Sequence, residues 1–149
     1  MSKIGRSEHR RWSWWTLTIA VAAWLLWMTL RPNPTVAGDL APWTTAAARQ
    51  GISPYALISL AGNVVVFVPL GAALAPAVGG AQLWRRFALA TLVGAGFSLL
   101  IELTQATLAT RVASPGDWLL NTIGTMTGAA TACLVVALRS LSIRRRYLQ

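Results

Sequence analysis

Thiols, imidazoles and acids are nearly missing from this chain: of 149 residues, one is cysteine, one is histidine and four are Asp or Glu. A lone Cys133 excludes an intramolecular disulfide. A lone His9, ahead of the first apolar run, excludes a histidine-ligated metal site and any triad that uses imidazole as its base. No nucleophile motif and no phosphate-binding glycine loop occurs. The expectation is therefore no metal and no cofactor.

Apolar surface is what the chain has in abundance. Hydrophobic residues make up 55% and charged residues 11%, with a mean hydropathy of +0.54. That is too apolar for a soluble domain of this size. Four runs stand out, at 14–30, 57–78, 87–108 and 118–138. A membrane span takes about 20 residues, with a lower limit of about 17. The first run is the marginal one. Its basic arm and Thr35-Val36-Ala37 resemble a signal peptide with a cleavage site. The run is longer than the usual apolar core of about 7–15 residues and carries Trp24 and Trp27, so we read a retained helix. The expected fold is all-α: a polytopic bundle of four transmembrane helices in a single domain over 1–149, with basic tails at 1–12 and 139–149.

Net charge is +9, from 13 Lys and Arg against 4 Asp and Glu. Its distribution argues against nucleic acid as a partner. Lys3, Arg6, Arg10 and Arg11 precede the first run, Arg85 and Arg86 separate the second from the third, and Arg139, Arg144, Arg145 and Arg146 close the fourth. With alternating helices, ten of the thirteen fall on one side, leaving Arg31, Arg49 and Arg111 opposite. That asymmetry is the positive-inside pattern and puts both termini in the cytoplasm. Anionic headgroups of the cytoplasmic leaflet would attract the same clusters. Trp12, Trp14, Trp15 and Trp84 at inner ends, and Trp118 at an outer end, fit interfacial belts.

Against this background one stretch is anomalous. Glu102 and Gln105 lie inside the third apolar run, where a carboxylate at mid-helix costs about 2.5–3.5 kcal/mol on insertion scales. Such a residue requires a partner or a task. At about 1.5 Å per residue, Glu102 sits about 9 Å below Leu108, in the outer third of a core about 30 Å thick. Asn63 on the second helix and Asn121 on the fourth reach a similar depth. Ser98, Glu102 and Gln105 share one face of the third helix. Asp117, Asn121, Gly124 and Gly128 form a stripe on the fourth, and Gly124-x-x-x-Gly128 permits close helix approach. Ser114-Pro115-Gly116 marks a turn that sets Asp117 near a helix start, where a carboxylate favours the dipole. Packing the two stripes together, with Asn63 and Gly71 alongside, would gather Asn63, Glu102, Gln105, Arg111, Asp117 and Asn121 into one cluster at the outer face.

These residues carry a resemblance. Asn63-x-x-x-Phe67-x-Pro69-Leu70-Gly71, Glu102-x-x-Gln105, Arg111, and Asp117-x-x-x-Asn121-x-x-Gly124-x-x-x-Gly128 resemble the pattern of the VanZ-like family of small bacterial membrane proteins. The similarity runs from about Asn63 to Gly128. It implies a multi-pass protein of the bacterial plasma membrane acting in the cell envelope. The family's founding member is associated with low-level resistance to the lipoglycopeptide antibiotic teicoplanin. Many members carry an acidic residue three positions after the arginine; here that position is Ser114, which removes one carboxylate from any metal proposal.

Three readings of the cluster stay open. It is a structural clasp in which Glu102 and Arg111 hold helices together. It binds a lipid-linked or lipoglycopeptide ligand at the outer leaflet, among membrane lipids, without turnover. Or it is the site of an intramembrane enzyme, with Glu102 and Asp117 as catalytic candidates and Arg111 holding an anion. The topology is directly testable: reporter fusions at Gly51 and at Gln149 should report opposite sides of the membrane, and agreement between them would overturn the helix count or the orientation.

Overall fold

A computed structural model describes residues 3–31, 60–109 and 113–146, with isolated positions between 38 and 53. The 31–56 loop thus falls mostly outside the described residues, and so does Arg111. Among the described residues the fold is all-helical, with four α-helices and no strand. They are α1 (Lys3–Thr29), α2 (Val66–Val78), α3 (Leu83–Ala106) and α4 (Pro115–Arg146), with a π-helical segment, Leu60–Val65, leading into α2.

The helices outrun the apolar runs. α1 extends through the basic arm, α3 begins four residues before Phe87, and α4 starts at Pro115 and continues through the arginines after Leu138. Hydropathy marks where a chain meets lipid, whereas a helix stops only where its hydrogen bonds stop. Arg, Lys and Glu are good helix formers, so charge does not end the winding. Leu83–Ala106 and the Pro115–Ser142 part of α4 are long and apolar enough to cross a membrane. Gly62–Val78 is apolar but shorter. α1 falls below that measure because Trp and Thr are interspersed through its apolar part.

The winding of the second element has a covalent cause. Pro69 has no N–H for the carbonyl of Val65, four residues back, and the wide π turns end at Val65. Pro76 leaves the carbonyl of Ala72 in the same position about two turns later.

Contacts across the bundle fix the helix directions. Gln105 near the end of α3 meets Thr29 at the end of α1. Asn63, just ahead of α2, meets Asp117 at the start of α4. Cys133 in α4 lies against the carbonyl of Leu83 at the start of α3, and the Arg11 side chain of α1 lies beside Gly79 after α2. The order is up-down-up-down. One end gathers Thr29, Asn63, Gln105 and Asp117; the opposite end gathers Arg11, Gly79, Leu83 and the end of α4.

In lipid, tails are as apolar as leucine, so helix association rests on close packing rather than on expelling water. α2 and α4 form the most extensive pair. Gly124 faces the carbonyl of Val64 and Cβ of Phe67, and Gly128 faces the carbonyl of Val68 and the amide of Ala72. In return Gly71 faces the carbonyl of Thr125 and the amide of Ala129. This corrects one expectation: the glycine stripe of α4 receives α2, not α3. Toward α3, α4 presents Thr125, whose side chain fills the place left by Gly94. Around these contacts lie Leu25, Phe67, Leu70, Leu74, Ala90, Ile101 and Ala129. Ile19, Leu92, Leu100 and Leu138 point outward.

Gly128→Ala should destabilise the bundle by about 1–3 kcal/mol, the usual cost of overpacking. Gly96→Ala, in α3 with open space at its Cα, should be neutral or stabilising, by up to about 1 kcal/mol of helix propensity. Thermal unfolding of both variants in detergent measures the difference.

Candidate functional site

Asn63, Glu102, Gln105, Asp117 and Asn121 all lie toward the end of the bundle where α3 stops and α4 starts. Hydrogen bonds tie them to different partners. The Asn63 side-chain amide donates to Asp117 Oδ1 at 3.0 Å, joining the π segment to α4. The Gln105 amide donates to the carbonyl of Thr29 at 2.8 Å, across to α1. That carbonyl belongs to the last turn of α1 and has no partner within its own helix, so Gln105 acts as a C-terminal cap supplied from outside. Deeper in, the Asn121 amide donates to Ser98 Oγ at 2.9 Å, between α4 and α3.

Glu102 has a different kind of partner. Its Oε2 accepts the backbone N–H of Ser114 at 2.8 Å, and the residue is only 6% exposed. A charge-assisted bond to a backbone donor satisfies a carboxylate in a medium without water and folds the α3–α4 turn down onto α3. Ser114 also organises the start of α4. Its carbonyl accepts the N–H of Asp117 at 3.0 Å and of Trp118 at 3.1 Å, and its hydroxyl lies 3.4 Å from the Asp117 N–H. Serine before Pro115 and Asp117 is an N-cap arrangement, with proline at the first helical position, where it gives up no helix bond.

Several of these contacts escaped the reading of the residues. Ser114 stands where an acid is common in the family pattern, and Ser-x-x-Asp ahead of an apolar run is also a capping signal. Trp118, an interfacial-belt position by sequence, donates its indole N–H to the carbonyl of Ala95 in α3 at 3.1 Å. Ser98 and Thr125 are fully buried, and Thr125 Oγ1 donates to the carbonyl of Asn121 at 3.0 Å. No sequence signal points to the carbonyls of Thr29 and Ala95 as acceptors, because every residue carries one.

Beside Glu102 the bundle is open. A groove of about 360 Å³ runs between the end of α3 and the start of α4, lined by Leu99, Glu102, Leu103, Ala106, Ser114 and Trp118 among others. Its walls are aliphatic and aromatic, and Glu102 is the ionisable group in its lining. Among the described residues no cluster of three or more His, Cys, Asp or Glu is placed to hold a metal.

The geometry defines a class: a helical membrane protein, apolar on its flanks, with most of its buried polar side chains collected toward one end. The chain belongs to the VanZ/LLP1 family, whose pattern matches residues 5–136. No curated protein and no solved structure matches it.

Asn121 is 2% exposed, and its Oδ1 has no hydrogen-bond partner among the described residues. Removing the serine as well should leave the whole amide stranded. Ser98→Ala alone should therefore cost about 1–3 kcal/mol, the desolvation cost of a buried polar group left unpaired. The Ser98→Ala, Asn121→Leu double change should cost less than Ser98→Ala alone, because both polar partners are gone. Unfolding in detergent for the two variants checks the order.

Proposed function

We propose that this protein is a multi-pass protein of the bacterial plasma membrane, with four transmembrane helices and both termini cytoplasmic. In this reading it holds an amphiphilic envelope ligand, lipid-linked or lipoglycopeptide, in the groove beside Glu102. Occupancy there lowers susceptibility to teicoplanin-type lipoglycopeptides without covalent chemistry. The ten-to-three distribution of basic residues supports the orientation, and the up-down-up-down order of the helices agrees with it.

The observation that carries the ligand reading is the groove itself. An apolar channel of about 360 Å³ that opens to the side, between Leu99, Leu103 and Trp118 and with Glu102 in its lining, suits a chain with a polar head. Asn63, Gln105, Asp117 and Asn121, in the same end of the bundle, brace its walls through the bonds described above. Arg111 stands next to the turn in sequence and is the cationic candidate for an anionic head group.

The alternative is an intramembrane enzyme acting on a lipid-linked precursor or phospholipid through Glu102, Arg111 and Asp117. Two observations favour binding over turnover. Glu102 is engaged by the Ser114 N–H, and Asp117 by the Asn63 amide. Each carboxylate thus has a structural partner that accounts for its place in the bundle without a chemical step.

Leu103 is 58% exposed in the groove wall, so Leu103→Trp should fill the groove while the protein still inserts normally. Susceptibility, normalised to membrane protein level, should then return to that of cells lacking the protein. Glu102→Gln keeps an oxygen acceptor for Ser114 and should have a smaller effect. If Leu103→Trp leaves susceptibility unchanged while Glu102→Gln abolishes protection, the groove is not the site and the enzymatic reading takes its place.

A further inference from the structure

At the opposite end of the bundle lies a second groove that the outer-face reading does not use. It measures about 480 Å³ and is walled by three helices. α1 contributes Trp14, Leu17 and Val21; α2 contributes Pro69, Ala72, Ala73 and Pro76; α4 contributes Thr131, Val135 and Arg139 with their neighbours. Each strip covers eight or nine positions, so the groove runs about 10–12 Å along the helices. Its cause is chemical. The prolines are confined to their rings, the alanines on α2 are short, and the Thr131 hydroxyl turns back to the carbonyl of Thr127. No side chain large enough to fill the space is present on the α2 wall.

The two ends of this groove differ. The inner end, at Pro69, Val21 and Thr131, is apolar apart from a hydroxyl that is already bonded. The mouth lies where Trp14, Pro76 and Arg139 meet. The Arg139 guanidinium makes no hydrogen bond or ion pair among the described residues. The chain around this end is strongly basic, with Lys3, Arg6, Arg10, Arg11, Arg85, Arg86, Arg139 and Arg144 to Arg146 against Glu8. Arg11 lies beside Gly79, and Arg86 Nε donates to the carbonyl of Gly80. Trp14 at the mouth is the amphipathic ring expected at headgroup level.

We infer that this groove is a binding site for one anionic membrane phospholipid, an acyl chain lying between α1, α2 and α4 and the headgroup phosphate on Arg139. Charge decides the class of lipid. A dry apolar slot accepts any acyl chain, but a basic pocket between helices selects an anionic head group over a zwitterionic one. The guanidinium meets phosphate through two parallel N–H donors.

Native mass spectrometry of the full chain in detergent, titrated with phosphatidylglycerol or with phosphatidylcholine of the same acyl chains, tests the assignment. The wild type should retain phosphatidylglycerol about fivefold better, the ratio expected for one basic residue at the headgroup. Arg139→Gln should bring the two lipids level. Arg85→Gln, at the same end but outside the groove lining, should keep the preference. Val135→Trp should reduce retention of both lipids; Val135 is 41% exposed, so the change fills the groove without entering the core. Leu17→Trp on the opposite wall, 46% exposed, repeats that test should the first variant fail to fold. An equal loss of preference in Arg85→Gln and Arg139→Gln would assign the effect to diffuse positive charge and overturn the proposal. So would undiminished retention by both tryptophan variants.

Discussion

Where α2 and the π segment leading into it cross α4, the carbonyls of Val64 and Val68 lie against Gly124 and Gly128, and the carbonyl of Thr125 lies against Gly71. Two backbones meet with no side chain between them. In a medium where apolar side chains gain nothing by leaving lipid for each other, such proximity is a main source of attraction, through dispersion and Cα–H to carbonyl contacts. The position of every other element follows from it. α3 is set by Thr125 entering the space at Gly94, and α1 by its packing against α2. The buried polar bonds come after this geometry: Asn63 meets Asp117, and Ser98 meets Asn121, at distances the glycine contact has already fixed.

The bundle is asymmetric along its axis. One end holds amides, carboxylates and the carbonyls they cap, almost all of them between helices. The other holds the guanidinium groups of Arg11, Arg85 and Arg139, which are exposed, and of Arg86, which turns to the carbonyl of Gly80. Buried polar groups restrain helix geometry and are costly when stranded; peripheral arginines orient a chain without rigidifying it. The two grooves share this division, one with a carboxylate in its lining and the other with a guanidinium at its mouth.

Much of this architecture is legible in the residues because membrane constraints are written in one-dimensional patterns. The apolar runs gave the helices, the i, i+4, i+7 spacing of Ser98, Glu102 and Gln105 gave a common face, and Gly124-x-x-x-Gly128 gave a close contact. Three things were not legible. Hydropathy does not mark the helix ends: Trp84, Arg85 and Arg86 separate two apolar runs, yet they lie in the first turn of α3. The partner of the glycine stripe was misjudged because small residues on α2, Gly71 above all, compete with those on α3, and spacing alone cannot choose between two neighbours. The π segment depends on a missing N–H at Pro69 whose effect appears four residues earlier. Arg111 stays a reading of the sequence alone.

A quieter feature lies in the threonines. Thr16, Thr18 and Thr29 of α1 donate their hydroxyls to the carbonyls of Trp12, Trp14 and Leu25. Thr122, Thr127 and Thr131 of α4 do the same one turn back. A hydroxyl bonded to its own helix no longer demands water, and only methyl and methine surface is left to show outside. Hydropathy scales assign threonine its unbonded polarity wherever it stands. By that arithmetic α1 looks wetter than the surface it presents, and its solvent preference is set by its tryptophans and its arginines instead.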